Sequence, residues 1–166
     1  VFTVHNIEYQ GRYGKETLED LFGLASGWFA DGTIAMDGDV NLLKGALMTC
    51  DAITAVSPTY AKELRYAFFA HGMESVIQRN AGKVYGVLNG INMERYDPSK
   101  GEGIKYKFSA KSMAGKAKNK AYLQEQMSLE PDANVPIIGI VSRLVSHKGL
   151  DLIEKVFDQI MDLHCQ

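Results

Sequence analysis

Cysteine is scarce in this chain, with only Cys50 and Cys165 among 166 residues. The two lie far apart without metal-ligand spacing, so we expect reduced thiols and neither a metal site nor a disulfide framework. An excess of one charge is also lacking, because 18 basic and 20 acidic residues give a net charge of −2. The sequence thus has no overall basic field that would indicate a nucleic-acid partner. No apolar run approaches the length of a membrane span, which argues against a membrane protein.

The two ends of the sequence indicate a segment of a longer protein. Val1 lies inside an apolar run without an initiator methionine, and Gln166 directly follows a predicted helix. A hydrophobic content of 46% over this length is enough for a full core, in one domain or in parts of two.

The most informative stretch covers residues 136–153. Its apolar run at 137–141 is short and rich in β-branched residues, which predicts a strand buried on both faces. A polar loop with Arg143 and Lys148 follows, and helical spacing of apolar residues begins at Leu150. Arginine offers a planar fork and lysine a point charge, so together they suit a phosphate or diphosphate. The alternative is that both side chains are simply solvated.

Strands and helices alternate along the rest of the chain. Further strands are predicted at 1–4, 52–56 and 84–88, with helices that begin after the N-caps Asn41 and Ser57. Tyr60 lies on the apolar stripe of the second of these helices and is predicted to be a core residue. The alternation predicts an α/β fold with parallel sheets flanked by helices. The polar stretch at 92–103 indicates that one sheet ends there and another begins.

Polar residues directly follow three of the predicted strands. They are His5-Asn6, Asn89-Gly90, and the pair of Arg143 and Lys148. The carboxyl ends of parallel strands form the crevice where open α/β sheets bind ligands, so we expect a binding site there. His5 alone is equally consistent with an ordinary loop histidine. A dinucleotide oxidoreductase is disfavoured, because the glycine pair at 101 and 103 lacks the third glycine and a preceding strand.

Five motifs give the chain a resemblance to bacterial glycogen synthases and plant starch synthases. In order they are Val4-His5-Asn6 with Tyr9-Gln10-Gly11, Asn41-Leu42-Leu43-Lys44-Gly45, Val56-Ser57-Pro58-Thr59-Tyr60-Ala61, Gly86-Val87-Leu88-Asn89-Gly90-Ile91, and Ser142-Arg143-Leu144 with His147-Lys148-Gly149-Leu150-Asp151-Leu152. Their order and spacing match that family over nearly the whole chain, so a chance similarity is not a reasonable explanation.

The resemblance implies a GT-B fold, with parts of two Rossmann-like parallel-sheet domains and the active site in their cleft. Residues 1–96 would form the end of the first, acceptor-side domain. Residues 97–134 would be a crossover with a helix, and residues 135–166 the start of the nucleotide-sugar-binding domain. The activity implied is the retaining transfer of glucose from ADP-glucose to the non-reducing end of an α-1,4-glucan, glycogen or starch. Such an enzyme would be cytoplasmic in bacteria, or plastidic in a plant.

The resemblance also implies roles for particular residues. Arg143 and Lys148 would hold the donor diphosphate and offset charge on the leaving group. His5 would contact the transferred glucose, with Asn6 and Asn89 in the same substrate pocket. ADP-glucose would be a substrate, and neither a cofactor nor a metal ion is expected.

The chain also departs from the family pattern in several places. His147 replaces the usual glutamine before Lys-Gly, and Asn92 and Tyr96-Asp97 replace the usual aspartate and Trp-Asn. The family's glycine loop and its glutamate-containing donor motif are absent, so we expect this chain to be inactive alone and to be prone to self-association. Two alternatives remain, namely another GT-B nucleotide-sugar enzyme and a non-catalytic module that binds nucleotide or glucan.

Overall fold

The computed structural model describes residues 1–166, which form two units, Val1–Gly90 and Ile91–Gln166. The first unit contains, in chain order, β1 (Phe2–Val4), β2 (Arg12–Tyr13), α1 (Thr17–Asp20), α2 (Gly27–Ala30), β3 (Ala35–Met36), β4 (Asp39–Asn41), α3 (Leu42–Thr49), β5 (Ile53–Ala55), α4 (Pro58–Glu63), α5 (Ala67–Ala70), α6 (Glu74–Arg79), a 3₁₀ turn (Ala81–Lys83) and β6 (Val84–Gly86). The second contains α7 (Ala114–Gln126), a 3₁₀ turn (Ser146–Lys148), α8 (Leu150–Lys155) and α9 (Phe157–Met161). None of these helices is both long and apolar enough to cross a membrane.

A parallel sheet with the strand order β1-β5-β6 is the centre of the first unit. All three strands were predicted from the sequence, and each is confirmed. Val4 pairs with Ala55, and Ala55 pairs with Gly86, so the three strands end at the same level. Apolar side chains from the sheet and from the helices α3, α4 and α6 form one core, which includes Val4, Leu47, Ile53, Leu64 and Ile77. The loops that follow β1, β5 and β6 therefore start at the same edge of the sheet.

The helices that follow β4 and β5 begin at the predicted caps. The side-chain oxygen of Asn41 accepts a hydrogen bond from the backbone N–H of Lys44 at 2.8 Å. Ser57 Oγ accepts one from the N–H of Tyr60 at 2.9 Å, and Pro58 occupies the first turn. Each cap provides a partner for an N–H group that the helix itself leaves unpaired.

A small antiparallel sheet with the order β2-β4-β3 lies in the same unit. Arg12 on β2 lies 3.3 Å from a carboxylate oxygen of both Asp37 and Asp39. A second apolar cluster of Leu18, Ile34 and Val40 belongs to this part of the chain. These strands have only two or three residues each, which is too short for an alternating pattern to be recognised in the sequence.

Gly86 allows the start of α4 to lie directly against β6. A Cβ atom at residue 86 would be 2.3 Å from Pro58 Cα and 2.5 Å from the Ser57 carbonyl oxygen. Because both atoms belong to the backbone, a side chain at this position would require the helix to move.

We therefore expect Gly86→Ala to lower the free energy of unfolding by about 3 kcal/mol, as overpacking of a close contact does. Gly82→Ala is the matched control, since a Cβ there would meet nothing within 4 Å, and it should change stability by less than about 1 kcal/mol. Urea denaturation followed by circular dichroism measures both variants. Equal stability of the two variants would show that the contact between β6 and α4 is not tight.

The prediction of a strand at 137–141, in the second unit, is wrong. These residues have no strand assignment, and the side chains of Ile138, Ile140 and Val141 are 53%, 55% and fully exposed. The run makes one pair of ladder bonds, from Ile138 N–H to the Gln166 carbonyl at 2.7 Å and from Gln166 N–H to the Pro136 carbonyl at 2.9 Å. This is the parallel pattern. The second unit has no further strand beside the run. Only its first residues lie near a helix, since Pro136 and Ile137 line one cleft with Leu123 of α7.

The helical segment predicted from Leu150 is confirmed at its start, but it is not continuous. It is interrupted at Val156, which separates α8 from α9. Leu150, Ile153 and Ile160 are partly buried. Phe157 is 53% exposed. Phe157 in α9 and residues 138, 140 and 141 of the run are thus apolar side chains that no other part of the chain covers.

Candidate functional site

The carboxyl end of the parallel sheet brings two of the predicted site segments to one edge. His5 follows the last residue of β1, and Asn89 lies shortly after the end of β6. Since β5 lies between these strands, their ends are about 10 Å apart at ordinary strand spacing. Val87 N–H donates to the Ala55 carbonyl at 2.8 Å and extends the sheet toward Asn89. The side chains of His5 and Asn89 are both exposed, so a ligand can reach them.

The loop at 5–11 that carries His5 and Asn6 is held by local hydrogen bonds. The side-chain oxygen of Asn6 accepts from the N–H of Glu8 at 2.9 Å, and its carbonyl accepts from the N–H of Tyr9 at 3.3 Å. Such a turn is typical of asparagine, whose short side chain imitates a backbone carbonyl. Asn6 therefore shapes the turn that presents His5, whatever further contact its amide group makes with a ligand.

Tyr60 on α4 contacts the middle of this loop. The Ile7 side chain is buried, and the Ile7 N–H donates to the Tyr60 hydroxyl oxygen at 3.0 Å. Burial raises the pKa of the Tyr60 phenol, against a smaller opposing effect of the Ile7 hydrogen bond. The phenol is therefore neutral at ordinary pH. Tyr60 was predicted to be a core residue, and it does pack against the core cluster. Its polar contact was not foreseen, because nothing local in the sequence indicates a partner so distant along the chain.

Gln10 and Asn41 form a buried polar pair at the other end of the loop. Asn41 Nδ2 donates to Gln10 Oε1 at 2.8 Å, and Gln10 Nε2 donates to the backbone carbonyl of His71 at 2.9 Å. Both side chains are buried, and both have partners, as buried polar groups require. Asn41 thus serves as the N-cap of α3 and as an anchor for the loop.

Arg143 and Lys148 lie on one short loop of the second unit. The Val145 N–H donates to the Arg143 carbonyl at 3.0 Å, and Lys148 ends the 3₁₀ turn 146–148. Gly149, with φ of +69°, has the left-handed conformation that glycine readily adopts and leads into α8. Both charged side chains are exposed. Arg143 and Lys148 thus belong to one loop of the second unit, while His5, Asn6 and Asn89 belong to the first unit.

No group of three or more histidine, cysteine, aspartate or glutamate side chains is arranged to hold a metal ion. Both cysteines are free thiols. The chemistry available at the described positions is therefore that of an imidazole, two amides, a guanidinium and an ammonium group. These groups suit hydrogen bonds to hydroxyl groups and charge-assisted bonds to an anion.

The parallel sheet, with polar residues after its strands, defines the class of this protein as Rossmann-like α/β. Residues 1–79 match the family described as the starch synthase catalytic domain. The whole chain is 42% identical to glycogen synthases of Streptococcus agalactiae and Alkaliphilus metalliredigens, and it covers 35% of each relative. It also matches the catalytic domain of starch synthase IV from Arabidopsis thaliana bound to ADP and acarbose. That match has a TM-score of 0.90 and 34% identity, over 99% of this chain and 34% of that one.

The chain is similar to glycogen and starch synthases along its whole length, as its five motifs predicted. The predicted fold class, an α/β fold of the GT-B type, is confirmed by the same structural match. The chain spans about a third of the length of the curated relatives it matches.

Proposed function

We propose that the protein to which this chain belongs is a glycogen or starch synthase, a retaining hexosyltransferase that moves glucose from ADP-glucose to the non-reducing end of an α-1,4-glucan. The observation that carries this proposal is similarity to glycogen synthases along the entire chain, at 37% to 42% identity in the relatives compared. The Arabidopsis relative binds ADP and acarbose. A nucleotide and an oligosaccharide are also the two ligand classes that the proposed reaction needs.

The proposed roles divide between the two units. In the first, the imidazole of His5 would hydrogen-bond a hydroxyl of the transferred glucose, with Asn6 and Asn89 as further contacts to the donor. In the second, Arg143 and Lys148 would hold the donor diphosphate. The domain limits of 1–96, 97–134 and 135–166 remain part of this proposal. No cofactor and no metal ion are proposed, and the location is proposed to be the cytoplasm, or a plastid in a plant.

The proposed chemistry is mainly electrostatic. As the bond between glucose and diphosphate breaks, negative charge grows on the leaving phosphate oxygen. A guanidinium and an ammonium group already directed at that position would stabilise the charge without reorganisation. Hydrogen bonds to the sugar hydroxyls would hold the glucose in place for attack by the glucan hydroxyl. No pair of carboxylates of the kind found in glycosidases is proposed for this reaction.

The function is tested by incubating the full-length protein with radiolabelled ADP-glucose and glycogen. We expect label in the polymer, released by an amylase that cleaves α-1,4 bonds only. Binding of ADP and maltooligosaccharides without incorporation would favour a non-catalytic module. Transfer from a different nucleotide sugar, with ADP-glucose inert, would favour another GT-B enzyme.

His5→Ala tests the proposed site within that reaction. Loss of one hydrogen bond to the substrate should lower kcat/KM for ADP-glucose by about 10- to 100-fold. The side chain of His5 is exposed, so the free energy of unfolding should change by less than about 1 kcal/mol. Steady-state kinetics and urea denaturation give the two values. A variant that is destabilised but fully active when folded would show that His5 serves the fold instead.

A further inference from the structure

The loop 5–11 has no regular secondary structure, yet it must hold His5 in place. It leaves the sheet after Val4, which pairs with Ala55, and its first tertiary anchor is Ile7. His5 and Asn6 are the residues between these two fixed points. A shift of the Ile7 backbone would therefore be transmitted directly to His5.

Ile7 is anchored both by its side chain and by its backbone. The side chain is 1% exposed and belongs to the main core. Its N–H group donates to the Tyr60 hydroxyl at 3.0 Å. A buried N–H group without a partner is strongly unfavourable, so this bond selects one position of the loop backbone. The Gln10–Asn41 pair anchors the loop further on, beyond His5 and Asn6.

The position of Tyr60 is itself set by the sheet. Tyr60 lies in the first turn of α4, where its N–H donates to Ser57 Oγ. The start of that helix is packed against β6 at Gly86. A continuous series of contacts thus runs from β6 through α4 and Tyr60 to Ile7 and His5.

We infer that Tyr60 is a positioning residue for His5 in glucosyl transfer. Its hydroxyl group holds the backbone of Ile7, and the position of Ile7 determines where His5 lies. This inference rests on the proposed function, because it assigns Tyr60 a role through the sugar contact of His5. Tyr60 itself would not touch the substrate. Removing its hydroxyl leaves the ring in the core but releases the loop, and small displacements of a substrate-positioning group are costly to rate.

A double-mutant cycle in the full-length protein tests this inference. The variants are Tyr60→Phe, His5→Ala and the double variant, with Tyr66→Phe as the control. Tyr66 is an exposed tyrosine of the same unit, so loss of its hydroxyl should leave kcat/KM unchanged. We expect Tyr60→Phe to lower kcat/KM for ADP-glucose by about 10-fold when His5 is present. In the His5→Ala background the same change should have less than about a 2-fold effect, because residues that act as a unit are non-additive.

Amide hydrogen exchange provides a second readout, and rates are normalised to the folded fraction measured by circular dichroism. Faster exchange of the Ile7 amide is expected in Tyr60→Phe and not in Tyr66→Phe. Unchanged exchange at Ile7 overturns the inference, as does an equal loss of activity with and without His5, which would indicate a purely structural tyrosine. If Tyr60→Phe has normal activity while His5→Ala is impaired, this inference is overturned but the proposed role of His5 still holds. Normal activity of His5→Ala overturns it together with the proposed role of His5.

Discussion

Replacement of Arg143 or Lys148 by alanine is expected to lower kcat/KM for ADP-glucose by about 30- to 1000-fold in the full-length protein. This corresponds to about 2–4 kcal/mol of transition-state stabilisation for each lost contact. The two cations lie on one loop, and both are exposed. Their removal should therefore leave the fold unchanged while the charge that develops on the diphosphate loses a partner. Steady-state kinetics with varied ADP-glucose measure the effect.

Lys155→Ala is the matched control for this pair. Lys155 is an exposed lysine near the end of α8, in the same unit but outside the loop 143–148. The Lys155→Ala substitution removes the same charge from the protein, so a general effect of net charge would appear in all three variants. Near-normal kcat/KM in Arg143→Ala or Lys148→Ala would end the assignment of that residue to the diphosphate. Equal losses in all three would also contradict a specific site.

The sequence predicts the parallel sheet of the first unit well because its signals are local. Short β-branched runs at 1–4, 52–56 and 84–88 become the three strands of one sheet. The caps Asn41 and Ser57 depend only on residues three positions further along, so the sequence contains all the information needed. Where an element depends on its own residues and near neighbours, pattern and structure agree.

The apolar run 137–141 shows why the same reasoning fails elsewhere. Its composition is right for a buried strand, but a strand also needs neighbours to pair with and side chains to cover it. In this chain the run pairs only with Gln166, and Ile138, Ile140 and Val141 stay exposed. Composition therefore predicted the tendency of the run to form a strand, and tertiary context decided that the strand does not form.

The supporting residues of the candidate site are missed for a related reason. Gln10, Asn41 and Tyr60 all lie in motifs that identify the family, but the sequence alone gives no role to their long-range contacts. Asn41 donates to a side chain 31 residues away, and Tyr60 accepts from a backbone group 53 residues away. The Tyr60 contact follows from the parallel sheet, which places the loops after β1 and β5 side by side. The Asn41 contact follows from the pairing of β4 with β2.

The isolated 166-residue chain is expected to have no detectable glucan synthase activity. It spans about a third of the curated relatives it matches, and we propose that the residues beyond this span complete the donor and acceptor sites. His5, Asn89, Arg143 and Lys148 would then be only part of the groups needed. The assay is incubation of the purified chain with labelled ADP-glucose and glycogen, with the full-length protein in parallel. Incorporation at a comparable rate would show that the catalytic set is complete within these residues.

Self-association should accompany this loss of activity, because exposed apolar residues and unpaired strand edges favour contact between copies. Ile138, Ile140 and Val141 are exposed, and β1 and β6 each have one unpaired edge. Size-exclusion chromatography over a range of concentrations should give an apparent mass above 18.3 kDa. Val141→Lys should shift the chain toward the monomer without a loss of stability, since that side chain is fully exposed. A monomer at every concentration would show that these surfaces do not drive association.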